Sequence, residues 1–422
     1  MALIVQKFGG SSVSDPERIR AVADHVARTV KRGNQVVVVV SAMGKTTDDY
    51  IRLANAVLTN QRGPVEKATK KGELPVKGDT REMDMLLTAG ERISAALTAM
   101  AIADLGVPAA SFTGSQAGIL TDTSHGRAKI LSVSGARLRE ALNEGIVPVV
   151  AGFQGVSTDK DITTLGRGGS DTTAVAVAAA LDADSCEIYT DVTGVFTADP
   201  RIAPLAHRMN RVSYEEMLEM AASGSGVVAL RAVEFAANHH VQLHVRSSFT
   251  WETGTIIDEE NLDMEAAVVS GITHDTSEAK ITISSVPDRP GVSAAIFRPL
   301  ADRWINVDMI VQNTGNDGKT DISFTVPKAD LAAAMEVCEP VSKIIGAASV
   351  TADSDVARVS IVGAGMRTNP GVSATMFETL ANANVNIEMI STSTIRLSCV
   401  VKAGSVETAV QALHTAFGLD RS

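Results

Sequence analysis

Lys7 closes a short apolar run that begins at Leu3 and stands just ahead of Gly9-Gly10-Ser11-Ser12. Glycines let main-chain amides approach phosphate oxygens, and a lysine beside them supplies a compact positive charge. The pattern is neither a Walker A loop nor GxGxxG, and a lone strand-end lysine beside a turn is more often structural. A second cluster runs Thr163-Thr164-Leu165-Gly166-Arg167-Gly168-Gly169-Ser170-Asp171-Thr172-Thr173 and opens a helix rich in alanine and valine, Ala174 to Leu181. Three glycines in four positions leave amides uncovered at a positive helix end, which suits an anion. Asp171 taken alone fits a helix N-cap equally well. Arg167 is a planar fork among glycines, the usual grip for a carboxylate. Ser41 and Thr46 in Ser41-Ala42-Met43-Gly44-Lys45-Thr46, and Glu91 in Thr88-Ala89-Gly90-Glu91-Arg92, complete the candidates. Each by itself is more often structural than catalytic, and only the combination points to chemistry.

These residues need a frame that brings them together. Leu3 to Lys7 reads as a strand, followed by a glycine turn and a helix on which Ile19, Val22, Ala23, Val26 and Val30 recur at helical spacing. Ser14 with Glu17 has the form of a capping box. Val36 to Val40 is an unbroken β-branched run, as in a strand buried on both faces of a parallel sheet. The same grammar returns at Ile146 to Val150 and at Glu187 to Thr190, so the first half reads as a layered α/β domain with ligands at the strand ends. Between Asn60 and Thr80 the periodicity lapses among lysines, glycines and prolines, as in a surface loop or lid.

Beyond about residue 264 the chain repeats itself with an offset of eighty. Pro290-Gly291-Val292-Ser293-Ala294 returns as Pro370-Gly371-Val372-Ser373-Ala374. Phe297, Leu300, Ala301, Asn306, Met309 and Ile310 return as Phe377, Leu380, Ala381, Asn386, Met389 and Ile390. Eleven identities in 25 aligned positions mark a duplication of small α+β modules.

Length and composition bound the rest. A chain of 422 residues is too long for one ordinary core. The net charge of -11 argues against a nucleic-acid partner. Cys186, Cys338 and Cys399 lack the spacing of a disulfide framework or zinc site, and no metal-ligating set is indicated. The eight histidines, including His239-His240, show no metal motif and are assigned no chemistry. With no signal-peptide layout at the start and no run of ~20 apolar residues, a cytoplasmic location away from membranes is expected.

Taken together, KFGGSS from Lys7, SAMG from Ser41, TAGER from Thr88, LGRGGSDTT from Leu165 and TDVTGVFTADPR from Thr190 resemble the aspartokinases of the amino acid kinase family, in order over nearly the whole chain. The resemblance implies an amino acid kinase domain at 1–247, a layered α/β sandwich with a mainly parallel central sheet. A linker at 248–264 and two ferredoxin-like ACT modules at 265–345 and 346–422 would follow, with strand exchange between the modules. It implies phosphoryl transfer from ATP with Mg²⁺ to the side chain of L-aspartate. Lys7 with the amides of Gly9 and Gly10 would hold the moving phosphoryl group, and Asp171 would orient Lys7. Ser41, Thr46, Glu91, Arg167 and Ser170 would bind aspartate. Phe8, Tyr189, Thr190, Asp191, Val195, Phe196, Thr197, Ala198, Asp199, Pro200, Arg201 and Gly226 would line the nucleotide pocket.

The family's ACT modules further imply lysine and/or threonine as effectors. The candidate ligand or interface positions are Asp288, Gly291, Ser293, Asn306, Gln312, Val372, Ser373, Asn386, Ile387 and Ser393. A homo-oligomer, or a hetero-oligomer with a shorter ACT-containing chain, is expected. The alternative for the repeat is dimerisation alone. A departure from the family lies at Gly224-Ser225-Gly226-Val227-Val228, where family members usually carry a phosphate-contacting lysine at the third position. Arg201 and Arg231 are the candidates to compensate. Two rivals remain at this stage: a kinase of the same family acting on glutamate, carbamate or a nucleoside monophosphate, and an amino-acid sensor with a decayed kinase site.

Overall fold

The computed structural model describes residues 1–58, 80–259, 268–313 and 318–421. The chain divides into two compact units. The first comprises Met1–Val195, Arg208–Ala221 and Gly226–Asn261; the second comprises Phe196–His207, Ala222–Ser225 and Leu262–Ser422. The division differs from the expected boundary at 247, because Phe196–His207 and Ala222–Ser225 cluster with the second unit.

The first unit is built on an eight-stranded sheet. Its order is Arg211–Ser213, Thr255–Asp258, Leu243–Ser247, Ser185–Thr190, Leu3–Phe8, Gln35–Val40, Val147–Ala151 and Ala109–Phe112. Every pairing is parallel except Leu243–Ser247 with Thr255–Asp258. The run of valines in Gln35–Val40 is buried on both faces, as its lack of alternation implies. Leu3–Phe8 lies between strands on either side that come from opposite directions in sequence, the arrangement that opens a crevice at the carboxyl edge. Thr255–Asp258 falls inside the stretch expected to be a linker at 248–264; its four residues follow a glycine and precede an acidic cluster, which hid a short strand.

The first helix, Pro16–Lys31, is capped by Asp15, whose carboxylate accepts from the Arg18 amide at 2.9 Å. The cap therefore falls one residue after Ser14, because Pro16 at the first helical position sets the start. Ile19, Val22, Ala23 and Val26 are buried and Val30 is half-buried, as their spacing requires. Thr80–Asp104 is long and apolar enough to cross a membrane by length and composition, yet half of its most apolar window is buried in the unit. It reads as a core helix pair, with Asp84 and Glu91 directed inward. The lid expected at Asn60–Thr80 lies outside the described residues except for Thr80.

The second unit holds two four-stranded sheets. One is ordered Asp308–Gln312, Lys319–Pro327, Glu278–Pro287, Ser349–Asp353; the other Gly271–Asp275, Val356–Val362, Arg396–Lys402, Met389–Thr392. Gly271–Asp275 thus joins the sheet of the second repeat and Ser349–Asp353 that of the first, so the division at 345/346 in sequence differs from the division between sheets. Reciprocal ion pairs cross between the repeats, Arg358 with Asp308 and Lys280 with Glu388. Asp308 and Glu388 are eighty positions apart and so equivalent in the repeat, whereas their partners Lys280 and Arg358 are seventy-eight apart and are not.

Candidate active site

The carboxyl edge of the central sheet gathers the sequence candidates. Lys7 is 8 % exposed, and its ammonium pairs with Asp171 Oδ1 at 2.5 Å. Asp171 is the third residue of the helix Gly169–Leu181 and makes no capping bond; Gly168, with φ of 69°, occupies the cap. The cap reading of Asp171 is therefore replaced by an ion pair that holds Lys7 at the strand end. An added Cβ at Gly10 would lie 2.9 Å from the Ala42 carbonyl, which brings SAMG against the first glycine turn. The Gly9 amide donates to the Tyr189 carbonyl at 3.2 Å, so it is committed to the sheet edge.

Glu91 lies at the start of the helix Ala89–Asp104 and is 3 % exposed. Oε1 accepts from the Ala42 amide at 3.2 Å, while Oε2 is buried without a hydrogen-bond partner. Burial pushes its carboxyl up to about 7. Gly90 explains the close approach: an added Cβ would meet the Ala42 Cβ at 2.7 Å and the Thr46 methyl at 3.5 Å. Ser41 is half-buried, with its amide donating to the Phe8 carbonyl at 3.1 Å, and the Thr46 hydroxyl donates to the Met43 carbonyl at 2.6 Å. Ser170 is buried against Gly152, where a Cβ would come within 2.8 Å of its hydroxyl. Arg167 is exposed between Gly166 and Gly168, both with positive φ. Lys7, Gly10, Ala42, Glu91, Thr46 and Ser170 thus meet at neighbouring strand ends.

The nucleotide candidates divide. Phe8 and Tyr189 are paired in register, and their rings stack at 4.8 Å on the sheet face opposite Lys7, fully buried. Their side chains are core, and only their main chain borders the edge. Val195 is likewise buried. Thr197 and Ala198 are spent within the second unit, Thr197 bonding His414 at 3.0 Å and Ala198 packing in the apolar core. Thr190 is half-buried and Asp191 exposed in the first unit; Phe196 and Asp199 are half-buried, and Pro200 and Arg201 exposed, in the second. Gly226 faces open space, with nothing within 4 Å of an added Cβ. Neither expected compensator is placed as a spare cation: Arg201 pairs with Asp199 at 2.6 Å, and Arg231 donates to the carbonyls of Leu165 and Ala128.

Behind Phe8 and Tyr189 lies a polar network that the sequence did not signal. Gln6 donates to Glu187 at 2.7 Å, Arg246 pairs with Glu187 at 3.1 Å, and the Tyr189 hydroxyl lies 2.7 Å from His25 Nε2. Burial lowers His25 to about 4, so it is neutral at ordinary pH. No motif spacing reveals such a set, because register between distant strands creates it.

In the second unit the Ser293 hydroxyl donates to Gln312 at 3.2 Å, and Gly291 and Gly371 take positive φ ahead of their helices. Val372, Ser373 and Ser393 line one cavity of about 300 Å³. Asn306 lines another, with Asp308 and Arg358. Asp288 donates its amide to the Gly318 carbonyl, and Asn386 and Ile387 do not line the cavity beside Val372.

Residues 2–247 match the model of the amino acid kinase family, and 276–340 with 359–417 match that of the ACT domain. The aspartokinase of Mycolicibacterium smegmatis is 55% identical over 424 residues, covering 99% of this chain and 97% of that protein. The chain belongs to the aspartate kinases of the amino acid kinase family. The crystal structure of E. coli aspartokinase III in complex with aspartate and ADP superposes with a TM-score of 0.79 at 25% identity, covering 98% of this chain and 99% of that one. The same enzyme with lysine and aspartate gives 0.74 at 25% identity, covering 99% of each.

Proposed function

We propose that the chain transfers the γ-phosphoryl group of ATP to the side-chain carboxylate of L-aspartate, giving 4-phospho-L-aspartate, the first step toward lysine, threonine and methionine. The observation that carries this reading is the Lys7–Asp171 ion pair at the central strand end, beside the unpartnered buried oxygen of Glu91. The complex of the E. coli relative with aspartate and ADP supports it.

The acceptor needs no general base, since a carboxylate of reference pKa about 3.9 is already a nucleophile at neutral pH. What remains is positioning and charge neutralisation. Lys7 and the Gly10 amide receive the transferred group in this reading, and the ion pair with Asp171 supports an anchored Lys7 ammonium. The Gly9 amide is already bonded and takes the lesser part. Glu91 Oε2 offers a negative partner for the substrate ammonium, and Arg167 a fork for its α-carboxylate, with Ser41, Thr46 and Ser170 alongside. ATP, when bound, supplies the phosphoryl group. Mg²⁺, when bound, would be carried mainly by nucleotide oxygens and water.

The ACT modules take lysine and/or threonine as feedback effectors in this reading, supported by the lysine complex of the E. coli relative. We place the enzyme in the cytoplasm as an oligomer, alone or with a shorter ACT-containing chain. A hydroxamate assay with ATP and Mg²⁺ tests the reaction. Acyl phosphate is expected with aspartate and not with glutamate; equal or greater product from glutamate would move the chain to another substrate of the family.

A further inference from the structure

We propose that Asp84 and Arg231 are positioning residues that hold the loop carrying Arg167 in the geometry needed to grip the substrate's carboxylate. The inference rests on the reading of Arg167 as an aspartate-binding residue.

Asp84 is 1 % exposed, with the whole carboxylate committed. It accepts from the Thr164 hydroxyl at 2.5 Å, from the Gly126 amide at 3.1 Å and from His125 Nδ1 at 2.7 Å. Arg231 reaches the same place from the helix Leu230–His239. It donates to the Leu165 carbonyl at 2.9 Å and to the Ala128 carbonyl at 3.0 Å. The Ala128 amide closes the set by donating to the Thr164 carbonyl at 2.8 Å. Two side chains from separate helices thus clamp the turn 122–128 to Thr164 and Leu165, immediately before Gly166 and Arg167.

Gly166 and Gly168 both take positive φ, and an added Cβ at Gly168 would meet the Ala229 Cβ at 2.2 Å. The two left-handed glycines set the turn that carries Arg167, and the hydrogen bonds at its entry set where that turn starts. A buried carboxylate with three donors and a half-buried guanidinium are costly to maintain for a surface turn alone. They are intelligible where a misplacement of about 1 Å costs of order a hundredfold in turnover.

The test compares Asp84→Asn, Thr164→Val, Thr164→Ser and Arg231→Met in the full-length enzyme, with thermal melting recorded for each. Arg167→Ala is the reference for the underlying reading. The expected result is an aspartate KM raised about tenfold in Asp84→Asn, Thr164→Val and Arg231→Met, an unchanged ATP KM, and near-normal behaviour in Thr164→Ser. Both KM values unchanged, or both shifted in proportion to lost melting temperature, would overturn the positioning role. If Arg167→Ala itself leaves the aspartate KM unaltered, the reading beneath the proposal falls and the proposal with it.

Discussion

Glu91 carries a conflict between folding and binding. Its carboxyl rises from 4.5 to about 7 because burial disfavours the charged form. Between those values the folded chain holds more protons than the unfolded one, so this group's contribution to stability falls as pH rises from about 4.5 to 7 and is level above. The shift corresponds to about 3 kcal/mol. Glu91→Gln is therefore expected to melt higher than the parent at pH 8, by an amount that shrinks toward pH 5, while aspartate binding is lost. A melting difference that grows at low pH would contradict this. In the parent, aspartate KM should fall as pH rises through about 7, because the substrate ammonium favours the ionised carboxylate. Lys7, Asp171 and Glu91 were legible as residue types in motifs. The resemblance implied that Asp171 orients Lys7, but spacing alone did not, since contact between residues far apart in sequence depends on strand order; the burial of Glu91 against Ala42 had no signal at all.

The elements show where motif reading succeeds and where packing takes precedence. Leu3–Phe8, Gln35–Val40, Val147–Ala151 and Ser185–Thr190 follow from apolar runs ended by glycine or polar turns. Phe8 and Tyr189 belong to the same motifs, but alternation along a strand sends both to the opposite face, where they stack. The strand Thr255–Asp258 was hidden because a short strand carries little periodicity, whereas the resemblance had implied strand exchange between the modules without saying which strands, Gly271–Asp275 and Ser349–Asp353, cross over. Gly10 is where an element-scale constraint is sharpest: Gly10→Ala would press a methyl to 2.9 Å from the Ala42 carbonyl and 3.2 Å from that of Gly44. The variant is expected to lose about 1–3 kcal/mol of stability through overpacking and, with the turn displaced, to turn over about tenfold more slowly; parental melting and turnover in this variant would refute the close approach. Gly226 is the converse, with open space around it. Gly226→Lys is expected to lower the ATP KM, and an unchanged or higher value would show that the family's lysine has no counterpart role here.

At the scale of the molecule, an amino acid kinase domain and a duplicated ACT pair lie on one chain, and the ion pairs Arg358–Asp308 and Lys280–Glu388 link the two repeats. Feedback control requires a coupling free energy, typically about 1–3 kcal/mol, which appears as a five- to 150-fold change in substrate affinity. Inhibition curves with lysine and threonine, separately and together, should show that shift; flat curves with both would remove the regulatory claim and leave the repeat as an assembly device. The central claim concerns the phosphoryl transfer itself, and Lys7→Ala tests it most directly. Hydroxamate formation with saturating ATP, Mg²⁺ and aspartate should fall by at least about a hundredfold while the melting temperature stays near that of the parent. Comparable product from a folded Lys7→Ala enzyme would contradict the account.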